Sequence, residues 1–214
     1  MIWLDKVNLR IGRNRLLLDR CSFAFEEGMR CSVIAPSTRA AGLFVDLLTG
    51  NIRPQAGRVI RHGSLSWNLN KPPLFGLGYS GREMVTFYAG IYAKSAKQVE
   101  HVLREDYGIA ADFDKNLGKW NRVERRAFFL ALPFALDFNI LIFESELLTR
   151  YPKIDQTLRP ILTARSEIGL VQIIDRPDII DPVCTQHFQI ENGKIVEFQK
   201  QQTGQDGNPE VQSA

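Results

Sequence analysis

Residues 28–57, GMRCSVIAPSTRAAGLFVDLLTGNIRPQAG, decide the fold. Cys31-Ser32-Val33-Ile34 is a short apolar run of strand length, and Ala35-Pro36-Ser37 breaks it. From Ala40 to Leu48 the apolar residues recur at helical spacing until Gly50 stops them, so the segment reads strand, loop, helix. Glu26-Glu27-Gly28 turns the chain into the strand, and Pro54 and Gly57 punctuate the far side.

A strand passing through a loop into a helix is where a phosphate cradle of the form GxxxxGK[ST] is built. There, loop glycines let backbone N–H groups converge on the phosphates, the Lys adds charge and the hydroxyl holds Mg²⁺. Here the loop reads Ala35-Pro36-Ser37-Thr38-Arg39-Ala40-Ala41-Gly42. With the flanking glycines holding the frame, Ala41 stands in the Lys position and Gly42 in the hydroxyl position. Pro36 also removes one N–H donor. Two readings of Ser37, Thr38 and Arg39 stand side by side: a plain helix cap, or a residual anion site in which Arg39 serves the helix N-terminus.

The 214 residues, 44% of them hydrophobic, suit one α/β domain spanning about 1–200. A formal charge of +3 without a basic block gives no argument for nucleic-acid binding. The longest apolar run, 127–136, is too short to span a bilayer, and the start MIWLDKVNL reads as a strand and not a signal peptide. Cys21, Cys31 and Cys184 lack metal-ligand spacing, as do His62, His101 and His187, so no metal site is expected and the thiols read as reduced, in keeping with a cytoplasmic protein.

Along the chain, Ile2, Leu4, Val7 and Leu9 mark a first strand, with Leu16–Leu18 and Cys21–Phe25 expected as a second and a third. Arg58–Ile60 and Ser64–Trp67 follow. At Gly81 the period becomes helical, placing Met84, Phe87, Tyr88, Ile91 and Tyr92 on one face. Ser95 and Gln98 form a capping-box pattern opening a helix to about Tyr107, and a third helix covers Arg122–Leu136. The helical block therefore occupies about 81–136. Asn139–Phe143 is a buried strand ending in Glu144, a helix follows over 154–167, and Gly169–Ile174 is the next strand, so the sheet is parallel. Asn192-Gly193 turns a closing hairpin, and residues 201–214 read as a disordered tail.

This order resembles the nucleotide-binding subunit of an ABC transporter over about residues 1–198. Ser66-Trp67 followed by Gly81-Arg82-Glu83 is similar to the ATPases driving export of capsular polysaccharide, teichoic acid or O-antigen, and the short C-terminus fits the capsule type. The resemblance implies an ABC-type P-loop NTPase fold with a parallel core sheet, an N-terminal antiparallel β subdomain and an inserted helical subdomain. It implies ATP and Mg²⁺ as cofactors, a homodimer as the working assembly, and a membrane permease subunit as partner at the inner membrane.

The chain departs from that pattern at nearly every ATP motif. Gly76 aligns with the Gln that serves Mg²⁺ and the attacking water, and Trp120-Asn121-Arg122-Val123-Glu124 replaces the LSGGQ signature. Phe143 replaces the metal-orienting Asp, Asp175 aligns with the switch His, and Leu147-Leu148-Thr149-Arg150 fills the loop expected to carry an Asp across the dimer. Glu144 alone matches a catalytic position, that of the water-polarising acid; a solvated acid at a strand end is the other reading. Each charge-assisted hydrogen bond is worth roughly 1.5–3 kcal/mol, and 1.4 kcal/mol is about tenfold in affinity. Losing three or more such contacts would take micromolar nucleotide binding to millimolar or weaker. The expectation is a pseudo-ATPase acting by binding or regulation in polysaccharide export, with no cofactor. The alternatives are a genuine ATPase subunit holding nucleotide through Arg39, the helix N-terminus and Glu144, and a helical block that docks a membrane partner through Tyr79, Phe87, Tyr88 and Tyr92.

Overall fold

The computed structural model describes residues 1–13, 15–69, 78–144 and 152–198. Its centre is a six-stranded sheet in the order β5-β6-β7-β3-β8-β9, built from β3 (Arg30–Ile34), β5 (Leu65–Asn68), β6 (Ile140–Glu144), β7 (Gly169–Ile174), β8 (Gln186–Glu191) and β9 (Lys194–Glu197). The first five of these run parallel, and β9 returns antiparallel through the Asn192-Gly193 turn, where both residues have positive φ. A second, three-stranded antiparallel sheet sets β1 (Ile2–Arg10) between β2 (Leu16–Phe25) and β4 (Ala56–Arg61).

Helix α1 (Thr38–Thr49) buries Phe44, Val45, Leu47 and Leu48 between the two sheets, and Gly50 caps it in a left-handed conformation. Arg61 donates from Nε to the Leu48 carbonyl at 2.7 Å and from Nη2 to the Leu47 carbonyl at 2.6 Å, placing a cation on the negative end of the helix. A second core lies under α2 (Gly81–Ile91), α3 (Ala96–His101), α4 (Arg122–Ala135) and α5 (Pro152–Ala164), where Phe113, Phe128 and Phe138 are fully buried.

The chain differs from the sequence expectation in four places. The stretches expected as second and third strands are one strand, β2, bent at Arg20. The helix expected to reach Tyr107 stops being α-helical at His101 and continues as a π-helical turn, Val102–Asp106. The Ser95 pattern is a one-sided cap in which the hydroxyl accepts from the Gln98 amide. On α2, Met84 and Tyr88 are buried, but Phe87 and Ile91 are 44% and 56% exposed, because an 11-residue helix can present only one face to the core beneath it. The expected loop at 72–76, the segment 147–150 and the tail 201–214 lie outside the described residues. Among the described residues, no helix is long and apolar enough to cross a membrane.

Candidate functional site

Parallel strands collect their C-terminal ends at one edge, and the residues singled out in the sequence gather there. Ala35 extends β3, its amide donating to the Ile174 carbonyl at 2.7 Å. Ser37 is extended and caps α1: its Oγ accepts from the Ala40 amide at 3.2 Å, and its carbonyl accepts from the Ala41 amide at 2.9 Å. The amides of Ala40 and Ala41 are thus engaged within the first turn of α1. Thr38 Oγ1 donates to Asp175 Oδ2, tying the start of α1 to the residue that follows β7. Ala40 and Ala41 are buried, Gly42 is half-buried, and Arg39 is exposed with no ion pair or hydrogen bond to its side chain among the described residues.

Glu144 closes β6, one step along from Phe143 and opposite Ile173 of β7. Alternation sorts the strand: Leu141 and Phe143 enter the core under the helical block, whereas Ile140 and Ile142 enter the core around α1. Glu144 therefore shares the α1 face and is half-buried there, while the Phe143 ring is fully buried on the opposite side. Within β7, Gln172 is buried; its Nε2 donates to the Ile179 carbonyl at 2.8 Å and its Oε1 accepts from the Asp181 amide at 2.9 Å, which fixes the chain that follows Asp175.

The signature-position segment is on the helical block. Asn121 caps α4 through a full capping box, its Oδ1 accepting from the Glu124 amide and Glu124 Oε2 accepting from the Asn121 amide, both at 2.9 Å. The Glu124 carboxylate thus holds its own helix end. Trp120 is buried against Phe113 and Phe128, and its Nε1 donates to the Asp112 carbonyl at 3.1 Å. A cleft of about 320 Å³ opens beside it, bounded by Tyr107, Ile109, Val123, Ala127 and Leu158.

A magnesium nucleotide does not fit these residues. Where a cation is needed there is a buried methyl group, Ala41, and the residue aligned with the metal-orienting Asp, Phe143, turns its ring into the core on the other side of the sheet. The Thr38 hydroxyl is already engaged by Asp175, and that carboxylate would meet the phosphates charge against charge. Among the described residues, no cluster of three or more His, Cys, Asp or Glu could hold a metal ion.

The sequence named the loop 37–42, Glu144 and Asp175 separately, and the structure brings the loop and Asp175 into contact. Sequence reasoning missed the Thr38–Asp175 bond, which no local spacing encodes. It also missed the capping box at Asn121, which the N-x-x-E spacing would have revealed.

Solved structures share the architecture. The ATP binding subunit of an ABC transporter superposes with a TM-score of 0.74 at 12% identity, over 91% of this chain and 88% of that one. The fold is that of an ATP-binding cassette. CbiO1 from Clostridium perfringens, part of the ABC transporter complex cbiONQ, gives a TM-score of 0.64 at 14% identity over 91% and 86% of the two chains. The dimeric bacterial ABC transporter cassette MJ0796 gives 0.65 at 13% identity over 91% and 96%. No protein-family model matches the chain, and no curated protein matches it. At these identities the likeness is one of cassette fold, so function rests on the site.

Proposed function

We propose that this chain is a cassette without ATP chemistry, a pseudo-ATPase that works by binding or regulation at a membrane permease. The observation that carries the reading is the self-satisfied loop: the Ala40 and Ala41 amides end on Ser37, and the Thr38 hydroxyl ends on the Asp175 carboxylate. Phosphoryl transfer depends almost wholly on positioned charge. The loop offers none at Ala41, and on β6 the residue aligned with the metal-orienting Asp, Phe143, faces the opposite core.

Association with polysaccharide export, of the capsule type, is supported by the resemblance of Ser66-Trp67 and Gly81-Arg82-Glu83 to such exporters. A permease partner at the cytoplasmic face of the inner membrane and a homodimer are further parts of the proposal; cbiO1 and MJ0796 are, by their descriptions, part of a transporter complex and a dimer respectively. Pairing with an intact ATPase would not rescue turnover, since this chain's loop would spoil one shared site and its Asn121 segment the other. The retained Glu144 on the α1 face is the one observation favouring a hydrolysing subunit; such an acid acts on water beside a bound phosphate, and Ala41 stands where the cation holding that phosphate would be.

Titration calorimetry with Mg-ATP, paired with a phosphate-release assay, tests the reading. The expected outcome is binding weaker than about 1 mM and no turnover. A dissociation constant below about 100 µM together with released phosphate would overturn it.

A further inference from the structure

Strand β1 carries one residue too many for a regular ladder with β2, and β2 carries two, one between Cys21 and Leu18 and one between Leu18 and Leu16. The buried residues of β1 are Ile2, Leu4, Val7 and Leu9, so the alternation slips by one between Leu4 and Val7. Leu4 pairs with Phe23 and Val7 with Cys21: three steps on β1 against two on β2, with Lys6 as the surplus residue at φ 51°. The slip is answered on the other strand. Val7 pairs with Cys21 and Leu9 with Leu18, and here Arg20 stands out of the ladder at φ 43°. From β4 the count agrees, since Asp5 pairs with Arg58 and Asn8 with Ala56. Gly57 makes room, because a Cβ there would lie 2.3 Å from the Lys6 carbonyl oxygen and 2.4 Å from that of Asp5.

Bulges explain how both strands keep their apolar faces inward. They do not explain the residue types. A left-handed bulge position is easiest for Gly, Asn or Asp, and a long side chain there adds strain. Yet the two positions hold Lys and Arg, both exposed, and both line one open groove of about 560 Å³ together with Asp5, Asn8 and Arg58. Arg58 is paired with Asp5 at 2.9 Å, whereas the charged groups of Lys6 and Arg20 meet no carboxylate among the described residues. The surroundings add to the charge. Residues 1–25 and 53–61 hold eight Lys or Arg against Asp5 and Asp19, a net +6 in a chain whose total is +3.

We propose that this groove on the outer face of the β1-β2-β4 sheet binds a phosphate-bearing anion, with the Arg20 guanidinium and the Lys6 ammonium as its two cations. Both residues are held in a left-handed backbone conformation, the Lys6 amide donating to Ser22 Oγ at 3.0 Å and the Arg20 amide to Asn8 Oδ1 at 2.5 Å, and backbone strain of this kind clusters at ligand sites. Guanidinium and ammonium together suit phosphate oxygens, the one as a planar fork and the other as a point charge. The chemistry fits either the headgroup of an anionic lipid or a soluble phosphorylated molecule. The site is separate from the loop at α1, so its success or failure leaves the reading of that loop untouched.

The experiment uses the full chain at about 50 mM salt, where exposed charges are weakly screened. Inorganic pyrophosphate is titrated calorimetrically, and vesicles of phosphatidylglycerol or of phosphatidylcholine are co-sedimented. The variants are Lys6→Asn, Arg20→Asn and the pair, since Asn accepts the left-handed conformation and the fold, checked by circular dichroism and melting, survives. Lys97→Gln on α3 is the charge control. Wild type is expected to bind pyrophosphate, phosphatidylglycerol vesicles or both, with about tenfold loss for each cation removed and no loss in Lys97→Gln. Vesicle binding alone identifies a headgroup, and pyrophosphate binding identifies a soluble ligand. Failure of the wild type to bind either probe, undiminished binding by the double variant, or equal loss in the Lys97 control would each overturn the proposal.

Discussion

Placing an acid at position 143 should unfold the protein before it creates a metal site. The Phe143 ring is fully buried in the core beneath the helical block. Truncating a buried Phe costs about 3–5 kcal/mol, and an ionised carboxylate left unpaired in that core adds several more. The total, about 5–8 kcal/mol, consumes most of a typical domain stability of about 5–15 kcal/mol. Phe143→Leu, which keeps an apolar side chain of nearly the same bulk, should cost about 1 kcal/mol. Urea denaturation followed by far-ultraviolet circular dichroism at pH 7 measures both. The sign with pH follows from burial, which raises the folded-state pKa of the new carboxyl above its unfolded value of about 3.9. The deficit of Phe143→Asp should therefore shrink as the pH falls toward 4 and the acid becomes neutral. A Phe143→Asp variant within about 1 kcal/mol of wild type at pH 7 would refute the placement of this side chain in the core.

Three further outcomes are expected. Gly81→Ala puts a Cβ 2.7 Å from the Trp120 ring, which is buried and hydrogen-bonded to Asp112, so denaturation should show a loss of about 1–3 kcal/mol; a gain would refute the packing. Asn121→Ala removes the α4 cap and should lower stability by about 1 kcal/mol, visible as a lower melting temperature, while Asn121→Ser should recover most of it. Burial pushes the Cys31 thiol up to about 12 and also raises Cys21 and Cys184, so none should react with a thiol reagent in native protein at pH 8, and all three should react in urea. The same shifts favour the folded state fully below the unfolded thiol pKa, about 8.5, and that stabilisation is lost as pH climbs toward 12.

The fold was legible because its decisive signals are local. Ile34 running into the loop, the apolar period from Ala40 to Leu48 and the Asn192-Gly193 turn each report on neighbours within a few residues, and the observed β3, α1 and β8–β9 hairpin follow them closely. What stayed hidden depends on distant partners. The slip between Leu4 and Val7 is present in the sequence, but only the pairing with β2 and β4 shows that Lys6 absorbs it. Two strands expected at Leu16–Leu18 and Cys21–Phe25 are one for the same reason, the bulge at Arg20 having imitated a break. Phe87 and Ile91 fit the helical period of α2 and are still exposed, because periodicity marks a face without saying how wide the core beneath it is. At the site, the loop 37–42 and the acids could be named from the sequence one by one, but the contact of Thr38 with Asp175 joins residues 137 positions apart.

The place of β3 in the middle of the sheet bears on how the chain can be made. Its two neighbours are β7 and β8, and the Ser32–His187 contact across the second seam spans 155 residues. A nascent chain leaving the ribosome has its middle strand long before either flanking strand exists, and loop closure over such separations slows folding. Until β7 and β8 emerge, Cys31, Val33 and the open edges of β3 have no lasting cover, which makes this interval the one in which a chaperone would matter most to the yield of native protein.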